Sequence, residues 1–108
     1  MNALPDPVDA FFAATNAGDV DRFVEAFAAD GVIDDWGRTF AGHDGVRRWT
    51  EGESIGVDQT FEITSFRIEG RTVVVLADVG GTGFTGPSTF TFDLTDDGSA
   101  IERMVITA

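Results

Sequence analysis

The sequence predicts an α+β fold, with helices gathered on one face of a sheet. Three observations carry that reading. Apolar residues recur at helical spacing as far as Glu53. From Asp58 onward the period switches to that of strands. Turn residues then cut the second half into runs that read as an antiparallel meander.

Taken in order, Asp6-Pro7 marks a helix start, because Asp can cap and Pro lacks an N–H that would be unpaired there anyway. Val8, Phe11 and Phe12 give this helix one apolar face, and Gly18 ends it. Asp19 starts a second helix with Val20, Phe23, Val24 and Phe27 on one face, stopped at Asp30-Gly31. Val32 to Trp36 is a short strand, Gly37 to Gly42 a loop, and His43 to Glu53 a short helix. In that helix Val46 and Trp49 share one side, while Arg47, Arg48 and Glu51 take the other.

The strands follow as Gln59 to Ile68, Arg71 to Val79, Ser88 to Leu94 and Ile101 to Thr107. The β-branched run Val73-Val74-Val75-Leu76 suggests burial on both faces. Phe90, Phe92 and Leu94 alternate with Thr89, Thr91 and Asp93. Glu69-Gly70 and Asp96-Asp97-Gly98 are turns, and Gly80 to Gly86 is a glycine-rich hairpin. There are no repeats and no linker, so residues 1–108 are expected to form one domain.

Composition narrows the function. Seven basic residues, all Arg, stand against nineteen Asp and Glu, for a net charge of −12. Nucleic acid and anionic membranes need a basic patch, so neither is an expected partner. There is no Cys, hence no thiolate nucleophile and no Cys-based zinc site, and one His leaves no multi-His metal centre. No metal and no cofactor are expected. Met1 to Pro7 carries no positive charge and no long apolar run, and the chain is read as cytoplasmic.

Asp34-Asp35 is the best chemical feature. Neighbours on a strand face opposite ways, so only one can enter a pocket. The other reading is two solvated strand-end charges, or one carboxylate capping the turn at Gly37. Trp36 and Trp49 are pocket walls or core. His43 is a general acid or base, or a polar residue at a helix start. Asp78, in a Val-rich strand, either lines a polar part of a pocket or marks where the strand emerges into water. Gly81-Thr-Gly-Phe-Thr-Gly86 matches G-x-G-x-x-G, but leads to Pro87 and a strand. Without a helix N-terminus it makes no phosphate cradle.

The order helix, helix ending in Phe27-Ala-Ala-Asp-Gly31, strand with Asp34-Asp35, and Gly42 before a short helix resembles the nuclear-transport-factor-2-like superfamily. The runs Val32-Ile-Asp-Asp-Trp-Gly-Arg-Thr-Phe-Ala-Gly42 and Gly83-Phe-Thr-Gly-Pro-Ser-Thr-Phe-Thr-Phe92 resemble its SnoaL-like branch. The resemblance covers nearly the whole chain. It implies a cone: a strongly curved antiparallel sheet around N-terminal helices, with a pocket at the open end. It also implies pairing into a homodimer through the outer sheet face, around Thr89, Thr91, Val105 and Thr107.

The superfamily includes ketosteroid isomerase, polyketide cyclases and limonene epoxide hydrolase. The isomerase's base falls at Asp35, where a carboxylate can take a proton next to a carbonyl. Its two oxyanion donors fall at Phe11 and Phe90, and neither can donate. One such donor is worth about 3–4 kcal/mol, so the resemblance argues against an isomerase of that type. The cyclases use an Asp with a nearby His, which implies Asp35, Asp78 and His43 as catalytic candidates. The hydrolase's Asp–Arg–Asp arrangement would need Arg103. Strand alternation puts Met104, Ile106 and Ala108 opposite Arg103, so a pocket on the Met104 face leaves Arg103 pointing away.

The expected ligand is a small hydrophobic ring compound, held by Phe11, Trp36, Trp49, Phe90, Phe92 and Met104. The phenylalanines either fill the cone or line a cavity in it. The enzyme reading has Asp35 as base in an isomerase, cyclase or lyase type of reaction. The alternative is a non-catalytic binding or interaction module of the same fold.

Overall fold

The computed structural model describes residues 4–82 and 85–107. Helix α1 (Asp6–Ala17) presents Val8, Phe11 and Phe12 inward. Asp6 lies inside its first turn, where a carboxylate suits the helix dipole, and Pro5 takes the cap position that the sequence assigns to Asp6. Gly18, at φ 71°, closes the helix: its N–H bonds Thr15 O, and Asp19 N–H bonds Ala14 O. Asp19 then caps α2 (Val20–Glu25) by accepting from Arg22 N–H at 3.1 Å.

Helix α2 stops well before Asp30-Gly31, and Phe27 already opens strand β1 (Phe27–Asp35). The spacing of Phe23, Val24 and Phe27 fits a helix, but long-range pairing overrides it. Ile101 N–H bonds Ala26 O at 2.9 Å, and Phe27 pairs with Ile101. The register shifts between Phe27 and Val32, and a Cβ at Gly31 would sit 2.9 Å from Ile101 O. The backbone approach there requires glycine.

The expected loop at 37–42 is in fact strand β2 (Arg38–Ala41), antiparallel to β1. The turn joining them holds Trp36 at φ 54° and Gly37 at φ 89°. Both left-handed residues match a two-residue hairpin of the primed type. Helix α3 (Gly42–Glu53) buries Val46 and Trp49, and a short 3₁₀ turn (Ile55–Val57) leads to the meander.

Strands β3 (Thr60–Glu69), β4 (Thr72–Gly80), β5 (Gly86–Leu94) and β6 (Ile101–Thr107) complete one six-stranded sheet, ordered β2-β1-β6-β5-β4-β3. Strand β1 runs parallel to β6, so the curved sheet is mixed and not wholly antiparallel. The long excursion through α3 and the meander allows this, since parallel neighbours need a crossover. Part of the glycine-rich hairpin, Gly83 and Phe84, lies outside the described residues, as does Ala108.

The helices cover one face of the sheet. Val73 and Val75 are fully buried beneath them, but Leu76, on the other face, is 43% exposed. Burial of the Val73–Leu76 run on both faces is therefore not met within the chain. Among the inward side chains, Phe11 is central: its ring lies 4.8 Å from Phe23 and 5.1 Å from Phe92. Asn16 ties α1 to the edge strand: its side chain accepts from Phe61 N–H at 2.8 Å and donates to Phe61 O at 3.1 Å. Both polar groups of that backbone residue are thereby satisfied where β3 has no further strand beside it.

Candidate functional site

The cone is filled at depth and hollow near its mouth. Phe11, Phe92 and Met104 are fully buried in the packed part. A cavity of about 400 Å³ opens beyond them. Asp35, Trp49, Phe61, Ser88, Phe90 and Ile106 are among its lining residues. Register explains the lining. Asp35 on β1 stands level with Ile106 on β6, and Ile106 with Phe90 on β5. These three project inward with Ile33 and Met104, one alternate position away.

Asp34 and Asp35 face opposite ways. Asp34 turns outward, accepts Gly37 N–H at 2.8 Å and pairs with Arg103 at 3.0 Å. One carboxylate thus does cap the turn, and Arg103 lies on the outer face. Asp35 turns inward and its side chain is 15% exposed. Its Oδ2 accepts from Trp49 Nε1–H at 3.1 Å and from Arg38 at 2.6 Å. Its Oδ1 accepts no hydrogen bond from a described residue. One oxygen is thereby anchored by two donors.

Arg38 also donates to Glu53 at 2.5 Å, and its guanidinium stands 5.6 Å from the Phe40 ring centroid. The hydrogen bonds to Glu53 and then Asp35 raise the Arg38 pKa above its ordinary value. At the rim, then, a permanent cation links two carboxylates. Trp36 is 68% exposed at the same rim.

The remaining candidates are placed elsewhere. His43 starts α3, and its Nε2 donates to Phe27 O at 2.8 Å. Phe27 and Asp35 are the two ends of β1, about 25 Å of strand apart, so His43 is not brought to the cavity. Asp78 is exposed on the outer face of β4, opposite Glu62 and Pro87, beside an open depression at the β3 edge. The strand alternation that buries Val79 turns Asp78 away. Among the described residues, no cluster of His, Cys, Asp or Glu is arranged to hold a metal ion, and no helix is long and apolar enough to cross a membrane.

Sequence reasoning missed Arg38, Glu53, Gln59 and Ser88. The signal for Arg38 was Gly37 after Trp36, which closes a hairpin and sets Arg38 opposite Asp35. Glu53 lies one helical turn past Trp49, on the side of α3 that meets the cavity.

N-terminal helices on a curved six-stranded sheet place the chain in the nuclear-transport-factor-2-like class. The SnoaL-like domain family matches residues 8–103, and the chain belongs to that family. A candidate polyketide cyclase of Sinorhizobium meliloti shares 29% identity at a TM-score of 0.86, over 96% of this chain and 95% of that one. A Catenulispora acidiphila protein with a ketosteroid isomerase-like fold, solved with trimethylamine, shares 24% identity at a TM-score of 0.80, over 98% and 87% of the two chains. The epoxide hydrolase/cyclase-like enzyme SalBIII, of pyran ring formation in salinomycin, shares 24% at 0.81, over 94% and 86%. At that identity the last two likenesses show the fold alone. No curated protein matches the chain significantly.

Proposed function

We propose that residues 1–108 form one SnoaL-like domain that takes a small hydrophobic ring compound into the mouth cavity, with Asp35 as acid/base residue. The observation that carries this is the split role of the carboxylate: Oδ2 is fixed by Trp49 and Arg38, and Oδ1 has no donor among the described residues. A cavity of about 400 Å³ suits a ligand of two or three rings. Phe61, Phe90, Val79 and Ile106 supply apolar walls.

In this reading Asp35 Oδ1 takes a proton from carbon next to a carbonyl, and the electron pair passes to the carbonyl oxygen. The proton then goes to another carbon in an isomerisation, to the alkoxide left when the enolate carbon bonds a second carbonyl in a cyclisation, or to the group expelled from the neighbouring carbon in a lyase reaction, so the three outcomes share one first step. Phe11 and Phe90 stabilise no oxyanion, which separates this site from the ketosteroid isomerase arrangement. That same absence favours the second reading, a binding module without chemistry.

The uncovered outer sheet face supports a homodimer. Leu76 is exposed there, with Val74 and Val105 half-buried beside it. Titration with 2-tetralone, followed by backbone amide shifts, tests the pocket. Saturable shifts confined to the neighbourhoods of Asp35, Trp49, Phe61 and Ser88 are expected. Shifts that do not saturate, or that map to the outer face, contradict the reading.

A further inference from the structure

A second polar group lines the same cavity. Ser88 is 8% exposed and lines it. On β5 it takes the inward position next to Phe90, opposite Ala77, which is 2% exposed. Its hydroxyl forms no hydrogen bond with a described residue. Neither is it one of the sealed hydroxyls, Thr50 and Ser54, that are buried out of reach of any ligand. A serine buried to this extent, whose hydroxyl has no partner among the described residues, finds its hydrogen bonds on an apolar cavity wall with water or a ligand.

The register gives its distance from the carboxylate. Asp35, Ile106 and Phe90 form one row across β1, β6 and β5. Ser88 sits two strands over from Asp35, about 10 Å, and one alternate position along, about 7 Å. On that backbone spacing the two groups suit opposite ends of a ligand longer than one ring. A compound of two or three rings fits, with its reacting end at Asp35 and an oxygen at its far end.

We infer that Ser88 is a ligand-positioning residue, and that the site takes an elongated apolar compound which carries, besides the carbonyl at its reacting end, a second hydrogen-bonding oxygen at the end remote from Asp35. The inference rests on the pocket reading above and names the substrate class within it. The apolar stretch between the two groups, Ile106 and Phe90, contributes area without direction. Ser88 supplies the orientation: its hydroxyl can donate to a ligand oxygen, which the side chains of Ile106 and Phe90 cannot do.

A matched pair tests it: 4-phenylcyclohexanone and phenylcyclohexane, titrated by ligand-observed NMR into wild-type protein, Ser88→Ala and Ser88→Thr. Wild type should bind the ketone about 3–10-fold more tightly than the hydrocarbon. That preference should vanish in Ser88→Ala through weaker ketone binding alone, and return at least in part in Ser88→Thr. Equal binding of both probes to wild type, or a preference that survives in Ser88→Ala, overturns the inference and leaves the pocket reading standing. Failure of both probes to bind overturns the two together.

Discussion

The indole of Trp49 donates to Asp35 Oδ2 at 3.1 Å, joining α3 to the end of β1 inside the cavity. Asp35 itself sits beside a turn, on the last residue of a strand that pairs with β2. A rigid, buried ring is what keeps its carboxylate aimed inward.

Trp49→Phe tests that bond. The ring's apolar packing against Phe23, 6.0 Å between centroids, is largely kept, and only the N–H donor is lost. A hydrogen bond to a charged group is worth about 1.5–3 kcal/mol, and Arg38 remains as a partner, so urea denaturation should report a loss at the lower end of that range. Any turnover should fall more than ligand affinity does. An unchanged denaturation midpoint would remove the bond from the account.

Trp36 occupies a left-handed conformation that β-carbon-bearing residues adopt at a cost of about 1–2 kcal/mol. It is also largely exposed, so little packing offsets that cost. Trp36→Asn should raise stability by about 0.5–1 kcal/mol, because Asn tolerates φ > 0, and should weaken binding of a ring ligand at the rim. Thermal melting and a 2-tetralone titration read both effects. A variant that melts lower contradicts the strain argument.

Acid sensitivity has one identified source. Hydrogen bonds from the Ser99 hydroxyl and N–H and from the Thr95 hydroxyl lower the Asp97 pKa to about 2. The unfolded chain therefore binds a proton at higher pH than the folded one. The contribution is present above about pH 4 and is lost as pH falls through about 2. Asp97→Ala should lower stability at neutral pH and flatten its decline between these limits. Equal slopes for the two proteins would contradict the assignment.

The outer sheet face gives a prediction about assembly. Light scattering should return twice the chain mass of 11.5 kDa for wild type. Leu76→Arg, placing a charge on the uncovered face, should return the single-chain mass with helical and sheet signals intact. A wild-type monomer at working concentration would contradict pairing through this face.

Much of this architecture was legible from spacing. The inward faces of α1 and α3 and the β5 alternation follow from period alone, and so does the opposite facing of Asp34 and Asp35. What escaped depends on pairing that a segment's own period does not show. Phe27 reads as helical until Ile101 pairs with it, and Arg38 to Ala41 is strand only because β1 lies beside it. Ser88 looked like one polar residue in an alternating strand. Its meaning came from the curvature that leaves space in front of it. His43 looked chemical because it is the lone histidine, yet the carbonyl of Phe27 accounts for its placement.

The central claim is that Asp35 removes a proton from a bound ring compound. The most direct measurement is hydrogen–deuterium exchange at the α-carbons of 2-tetralone in D₂O, followed by NMR with wild-type protein and with Asp35→Asn. Wild type should accelerate exchange above buffer, and Asp35→Asn should reduce that acceleration about 100-fold or more while still binding the ketone. Binding without acceleration by wild type, or equal acceleration by the two proteins, would contradict the account.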